Sequence, residues 1–191
     1  MSEYLETFQV PHPIMEKLPF DLIWKMKPEQ RGKVWHNNHN IDAHRFYKSY
    51  GTTPKFDESV ASYMFSSGES TQYPEIPDVF HELMDHIGTH SNQTYNNLVI
   101  NWYEDGQDYT PIHKDCLDGM LGSNICIVNI VDGPLLRDFV LIPGDRKAHI
   151  HVQCSNGLGI VMKKEALDRR HGVPKVDTDV SRRISLSFRT Y

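Results

Sequence analysis

Two residues separated by one position, His113 and Asp115, are the side chains of this sequence best suited to chemistry. They close the segment 101–115, Asn-Trp-Tyr-Glu-Asp-Gly-Gln-Asp-Tyr-Thr-Pro-Ile-His-Lys-Asp. Alternate side chains of an extended strand share a face, so this pair could bind one ion together. A later histidine, His171, would complete a 2-His-1-carboxylate set, which holds non-haem Fe(II) and leaves coordination positions open.

The His-x-Asp tripeptide and the third ligand each have an alternative interpretation. The chain has 11 histidines, so roughly one His-x-Asp is expected from composition alone. His149 and His151 alternate in the segment 147–152 and could form a metal pair of their own. No carboxylate or cysteine lies at a supporting spacing, which favours solvent-exposed residues on a strand. We therefore predict His171, which precedes the last predicted strand, as the third ligand.

The final predicted strand, Arg-Ile-Ser-Leu-Ser-Phe-Arg at 183–189, alternates between polar and apolar residues. Such a strand can simply be half buried with a solvated polar face. A barrel that encloses a dianionic ligand needs the opposite arrangement, with the polar face turned inward. The planar fork of arginine binds a carboxylate in bidentate fashion and keeps its charge. Because Arg182 has the opposite phase, we predict that Arg183 binds the carboxylate of a 2-oxoacid.

The elements around these residues predict a mainly β chain with flanking helices. Helices are predicted at 20–24 and from Pro77, where apolar residues of 79–87 share one face. Strands are predicted at 98–102, 125–130, 139–142, 148–153, 159–162 and 183–189, and a loop at 36–40. Many short strands separated by Gly and Pro suit a jelly-roll barrel.

Composition is that of a single soluble domain. The chain has 191 residues and a formal net charge of −5, and it lacks the ~20-residue apolar run of a membrane helix. An acidic N-terminus and unpaired cysteine spacing predict an intracellular, reducing compartment, the cytoplasm or the nucleus. Residues 155–191 contain 8 basic and 4 acidic residues, whereas 1–154 contain 12 basic and 21 acidic ones. This excess includes candidates for a nucleic-acid groove, which are Lys163, Lys164, Arg169, Arg170 and Lys175.

Several segments together resemble the AlkB family of Fe(II)/2-oxoglutarate-dependent nucleic-acid dealkylases, in particular its eukaryotic DNA-repair members. The segment 101–115 resembles the metal-site segment of the family, and Arg137-Asp138-Phe139 resembles a second family motif. The strand 183–189 is similar to the family's Arg-x-Asn-x-Thr-x-Arg, with Ser185 in place of Asn. With Tyr50-Gly51 and the segment 63–66, the resemblance covers roughly residues 45–191.

The resemblance implies a double-stranded β-helix and a set of site residues. Iron would be bound by His113, Asp115 and His171. The expected contacts to 2-oxoglutarate are Asn101, Tyr103, Arg183, Ser185 and Arg189, and the expected contacts to the substrate are Tyr63, Phe65, Ser66 and Arg137. One domain over 1–191 is expected, with an N-terminal extension (1–44), a nucleotide-recognition lid and helix (45–96) and a catalytic core (97–191).

The implied activity is oxidative demethylation of bases such as 1-methyladenine or 3-methylcytosine in DNA or RNA. The reaction would require Fe(II), consume 2-oxoglutarate and O2, and release formaldehyde, succinate and CO2. The base must be single-stranded or flipped out of a duplex. A monomer that does not enter membranes is expected. Two alternatives remain: an oxygenase acting on a protein, lipid or small molecule, and a catalytically silent binding domain.

Overall fold

The computed structural model describes residues 2–36, 39–53, 63–65, 72–115, 117, 119–144 and 149–191, with only the backbone described at 35–36, 39–40 and 63–65. Within these residues the strands are β1 Leu5–Gln9, β2 Lys33–His36, β3 His39–Asp42, β4 Phe46–Gly51, β5 Tyr63–Phe65, β6 Asn97–Tyr103, β7 Thr110–His113, β8 Ile125–Val131, β9 Arg137–Ile142, β10 Ile150–Cys154, β11 Leu158–Met162, β12 Arg170–Val173 and β13 Arg183–Arg189. The helices are α1 His12–Met15, α2 Phe20–Trp24 and α3 His81–Ser91, with 3-10 turns at Asp78–Phe80 and Lys164–Ala166.

The strands form two main antiparallel sheets and one small one. The six-stranded sheet has the order β1-β11-β8-β13-β6-β4, and the four-stranded sheet has the order β10-β9-β12-β7. The third sheet, β3-β2-β5, is formed by strands between residues 33 and 65. Neighbours in the two main sheets are far apart in sequence, as in a jelly roll. The predicted fold class, mainly β with flanking helices in a double-stranded β-helix, is confirmed.

The inner face of the six-stranded sheet packs against the four-stranded sheet. Ile125 and Ile127 of β8 contact Phe139 and Leu141 of β9 in one apolar cluster, and all four are at most 6% exposed. This core fills one part of the space between the sheets. The polar residues of the same inner face are grouped in the remaining part, which makes that part a candidate site.

The outer face of the six-stranded sheet is covered by the helices. Ile184, Leu186 and Phe188 of β13 are fully buried there, together with Leu83 and Ile87 of α3. Helix α3 follows the 3-10 turn capped by Pro77 and ends at Asn92, whose φ of 50° is left-handed. Both the predicted helix and the predicted phase of β13 are therefore confirmed. Since β13 is buried on both faces, its polar side chains face the interior rather than solvent.

The N-terminal residues take part in the main sheet. β1 pairs with β11 along its whole length, from Leu5 opposite Met162 to Gln9 opposite Leu158. The predicted loop at 36–40 is wrong at its ends, since β2 extends to His36 and β3 begins at His39, while 37–38 lie outside the described residues. Among the helices of the described residues, none has the length and apolar character needed to cross a membrane.

Candidate metal and cofactor site

His113 and His171 are brought together by strand pairing. They stand directly opposite each other in the antiparallel pair β7–β12, with ring centroids 4.6 Å apart. The pair contains a β-bulge, because three steps from Thr110 to His113 match only two from His171 to Val173. Bulges of this kind redirect side chains next to active sites. Here the bulge lies beside Gly172, where an added Cβ would meet the Thr110 carbonyl oxygen at 2.7 Å.

Asp115 approaches both histidines from just beyond the end of β7. One carboxylate oxygen lies 3.6 Å from His113 Nε2, and the other lies 3.5 Å from His171 Nε2. A ligand atom from each of the three residues lies within 4.8 Å of the others. The expected single strand through His113 and Asp115 is wrong, because β7 ends at His113 and Asp115 lies two residues beyond it. The three side chains nevertheless converge.

Both imidazole rings are oriented by backbone carbonyl groups. His113 Nδ1 lies 2.8 Å from the Pro111 carbonyl oxygen, and His171 Nδ1 lies 3.3 Å from that of Arg169. A carbonyl oxygen can only accept, so each Nδ1 is the donor. The tautomer that results places the ring lone pair on Nε2, the atom that faces Asp115. Metal-binding histidines are typically held in this way by their second ring nitrogen.

The electrostatics of the cluster favour the protonation states that a metal needs. Burial alone would raise the pKa of Asp115, but Arg189, His171 and His113 hold it well below its ordinary value. Burial lowers the pKa of His171 to about 4, and the nearby His113 adds to this decrease. At neutral pH the site therefore offers a carboxylate and a neutral imidazole. These are the donor types of the 2-His-1-carboxylate iron centres.

A pocket between the sheets, with about 500 Å³ of empty space, adjoins the three ligands. Its lining includes Asn101, Tyr103, Arg183, Ser185 and Arg189, the residues predicted from sequence to contact 2-oxoglutarate. Apolar side chains complete the wall, among them Ile125, Ile127, Phe139 and Met162. The roles of the polar residues stay predictions, but the fold brings all of them to one cavity.

The two arginines of β13 carry buried donors suited to an anion. Arg183 is 1% exposed and Arg189 is 9% exposed. Arg189 Nη2 donates to Asp115 at 3.3 Å. Among the described residues, Nη1 of Arg183 and Nη1 of Arg189 have no hydrogen-bond partner. A buried donor without a partner costs about 1–3 kcal/mol. A dicarboxylate such as 2-oxoglutarate would satisfy donors of this kind, so the residues present fit both Fe(II) and this cofactor.

Two residues that hydrogen-bond to the predicted site residues were not predicted from sequence. Asn129 of β8 is fully buried, and its Oδ1 accepts from Nε and Nη2 of Arg183 at 3.0 and 2.8 Å. Arg45 is 2% exposed and donates through Nε to Asn101 Oδ1 at 2.7 Å. The register that places Asn129 opposite Ser185 is a long-range property with no local sequence signal. Asn129 thus fixes the guanidinium plane of Arg183.

The residues predicted to contact substrate are less well defined. Arg137 is buried outside the pocket lining, and its guanidinium donates to the carbonyl oxygens of Asp105 at 2.8 Å and Pro174 at 2.7 Å. It therefore joins the loops that follow β6 and β12. Tyr63 and Phe65 lie in β5, which pairs with β2, but their side chains lie outside the described residues. Ser66 also lies outside them. Their contribution to a base pocket stays a prediction.

The competing histidine pair has the exposed position expected from sequence. His149 and His151 stack with ring centroids 6.1 Å apart, and His151 Nδ1 lies 3.0 Å from Asp138 Oδ2 on the surface. Neither belongs to the metal-binding group found among the described residues. Arg182 is likewise turned away from the pocket and pairs with Asp132 at 2.6 Å. The local alternation of each strand predicted these orientations.

Comparison with known proteins gives one sequence relative and a matching fold. No family model matches the chain. It is 28% identical over 144 residues to the DNA oxidative demethylase ALKBH2 of Bos taurus, which covers 70% of this chain. The chain spans about half, 50%, of the length of that relative. The solved structure of OsALKBH1 superposes with a TM-score of 0.67 at 14% identity, over 100% of this chain and 99% of that one.

The relative and the solved structure agree with the site geometry. The structural match establishes the fold, and the sequence match extends over most of this chain. His113, Asp115 and His171 converge as the motif segments predict. The chain is therefore similar in sequence to a DNA oxidative demethylase, ALKBH2, and has the fold of OsALKBH1.

Proposed function

We propose that this chain is an Fe(II)/2-oxoglutarate-dependent dioxygenase that removes methyl groups oxidatively from alkylated bases of DNA or RNA. The observation that carries the proposal is one cavity that joins the His113, Asp115 and His171 cluster to two buried arginines with unused donors. Metal ligands alone would also suit a structural site. A 2-oxoacid also requires cationic donors in the same cavity that can bind its far carboxylate.

The residues of this chain would divide the work between binding and orientation. His113, Asp115 and His171 would hold the iron, and Arg183 would hold the far carboxylate of 2-oxoglutarate. When bound, iron and cofactor would supply the oxidising chemistry, in which O2 and 2-oxoglutarate are consumed and formaldehyde, succinate and CO2 are released. Asn129 keeps the Arg183 guanidinium in one plane. Apolar side chains such as Ile125, Ile127 and Phe139 line part of the same cavity.

The substrate class is supported by the relative and by the lid segment. The matched protein from Bos taurus is named a DNA oxidative demethylase, and the lid residues Tyr63 and Phe65 suit stacking on a base. A methylated base pairs poorly, so a single strand or a flipped base costs less to bind than a paired one. We propose an intracellular, monomeric enzyme that acts on 1-methyladenine or 3-methylcytosine.

Mass spectrometry of methylated oligonucleotides tests the proposal. Single- and double-stranded DNA and RNA with 1-methyladenine or 3-methylcytosine are incubated with protein, Fe(II), 2-oxoglutarate and ascorbate. We expect loss of the methyl group together with stoichiometric succinate, and neither product with an Asp115→Ala variant. Succinate formation only with a protein, lipid or small-molecule substrate would replace nucleic acid as the substrate class. Absence of succinate with every substrate would favour a silent binding domain.

A further inference from the structure

A second groove lies on the opposite face of the four-stranded sheet from the metal ligands. It has about 1040 Å³ of open space and is lined by Lys114, Ile142, Pro143, Gly144, His149, Asp168, Arg169 and Arg170. We call these residues the basic groove. Its lining carries three cationic side chains against one carboxylate, whereas the whole chain has a net charge of −5. A local positive potential on an acidic protein favours a polyanionic partner.

The register of the sheet fixes how the basic groove relates to the metal site. His113, His171 and Leu141 form one cross-strand row that faces the interior. The next row toward the end of the sheet contains Arg170 and Ile142, which pair with each other, and Lys114 follows His113 just beyond the end of β7. Side chains of adjacent rows point to opposite faces of a sheet. The groove therefore begins one residue away from two of the metal ligands, on the outer side of the same strands.

Lys114 and Arg170 of this groove are both exposed. Within the described part of the chain, no carboxylate forms an ion pair with either side chain. The acidic residue of the lining, Asp168, pairs with Arg169 at 3.1 Å instead. The positive charges of Lys114 and Arg170 can therefore attract an anion to the basic groove.

We propose that the basic groove binds the phosphodiester backbone of the single strand whose methylated base enters the metal site. Lys114 and Arg170 would each contact a phosphate, and the apolar floor of Ile142 and Pro143 would lie against a sugar or base. The proposal rests on the proposed function and adds to it the path of the strand beside the site. Among the basic residues predicted from sequence, it selects Arg169 and Arg170. Lys163 and Lys164 line a different pocket, with Glu6.

Binding of a labelled, unmethylated oligothymidine tests the groove without turnover. Fluorescence anisotropy over a series of salt concentrations is measured for the wild type, Lys114→Gln/Arg170→Gln and a control, Lys25→Gln/Lys164→Gln. The control makes the same change in net charge at exposed positions outside the groove. We expect the groove variant to bind about tenfold more weakly, with a log–log salt slope reduced by about 1.4, or about 0.7 per lost phosphate contact.

The single variant Arg170→Gln keeps the segment 113–115 intact and should lose about half of that slope. Wild-type affinity for oligothymidine in both groove variants, or an equal loss of affinity in the control, would refute the proposed role of the groove. Demethylation by the wild type tests the proposed function separately. A wild type that demethylates while the groove variants bind normally refutes only the groove. A wild type that binds through the groove but removes no methyl group supports the groove and refutes dealkylation.

Discussion

Arg183 and Arg182 are adjacent in sequence but have opposite environments, and this difference predicts opposite effects of substitution. Arg183 is 1% exposed and holds Asn129 through two hydrogen bonds. The side chain of Arg182 is 44% exposed and pairs with Asp132 on the surface. Methionine is a suitable replacement at both positions because it keeps an unbranched side chain and removes only the charge and the donors. The two variants are therefore a matched pair.

The expected cost of Arg183→Met follows from the buried contacts. Loss of a buried charged partner leaves a cofactor carboxylate uncompensated and costs about 3–5 kcal/mol. At 1.4 kcal/mol for each tenfold change, 2-oxoglutarate should bind about 10²- to 4 × 10³-fold more weakly. Asn129 Oδ1 would also lose both donors, which costs about 1–3 kcal/mol of folding stability. For Arg182→Met, an exposed ion pair contributes about 0–1 kcal/mol, and cofactor affinity should not change.

Titration calorimetry with Mn(II) in place of iron measures 2-oxoglutarate affinity without turnover, and a thermal melt of each apoprotein measures stability. Equal weakening of cofactor binding by Arg183→Met and Arg182→Met would refute the assignment of Arg183 from its strand phase. Wild-type affinity in Arg183→Met, with an unchanged melting temperature, would also show that the buried guanidinium contacts neither the cofactor nor Asn129 with measurable energy.

Three further substitutions test the rest of the site. His171→Ala should abolish Mn(II) binding and succinate production, whereas His151→Ala should leave both unchanged. The reverse result in metal titrations would show that His151 of β10, and not His171, is the third ligand. Gly172→Ala should weaken metal binding and destabilise the fold by about 1–3 kcal/mol, because the new Cβ meets β7 carbonyl groups. Gly144→Ala is the control, since a Cβ at that position meets open space. Equal melting temperatures of the two variants would contradict the close approach at Gly172. Asn129→Ala should raise the KM for 2-oxoglutarate about tenfold with little change in kcat, since Asn129 positions Arg183. A loss confined to kcat would count against this role. Asn129 Nδ2 also donates to the Leu158 carbonyl oxygen at 2.8 Å, so a thermal melt is needed to measure any loss of stability.

Local patterns predicted the elements that are long or regularly alternating. The phase of β13 was predictable because polar and apolar residues alternate over seven positions and each face has a distinct environment. The helix from Pro77 was predictable from its apolar face and its proline. By contrast, β12 was not predicted and β7 was expected to continue through Asp115, since each strand has four residues and their sequences show no sustained period. The ligand His171 was identified by its residue type and position, not by its strand.

The rest of the site depends on register, which the sequence does not encode locally. Asn129 reaches Arg183 because β8 pairs with β13 across more than fifty residues of chain. Arg45 reaches Asn101 in the same way, from the start of β4. The role of Arg137 as a link between two loops is also a consequence of tertiary structure, since its hydrogen bonds go to backbone carbonyl groups that no side-chain pattern marks. Residue type therefore indicated the chemistry, and register determined the partners.

The ion pair between Asp115 and Arg189 joins the two halves of the sandwich, because Asp115 follows β7 of one sheet and Arg189 ends β13 of the other. β7 is the edge strand of its sheet and is held on one side only, by β12. A metal bound by the three ligands would stabilise the native chain by mass action and would act mainly on this edge. Removal of the metal by a chelator should therefore first increase the rate of amide hydrogen exchange in β7, at temperatures well below that at which the sheets separate. Metal binding by the three ligands would therefore also determine how readily the barrel opens at β7.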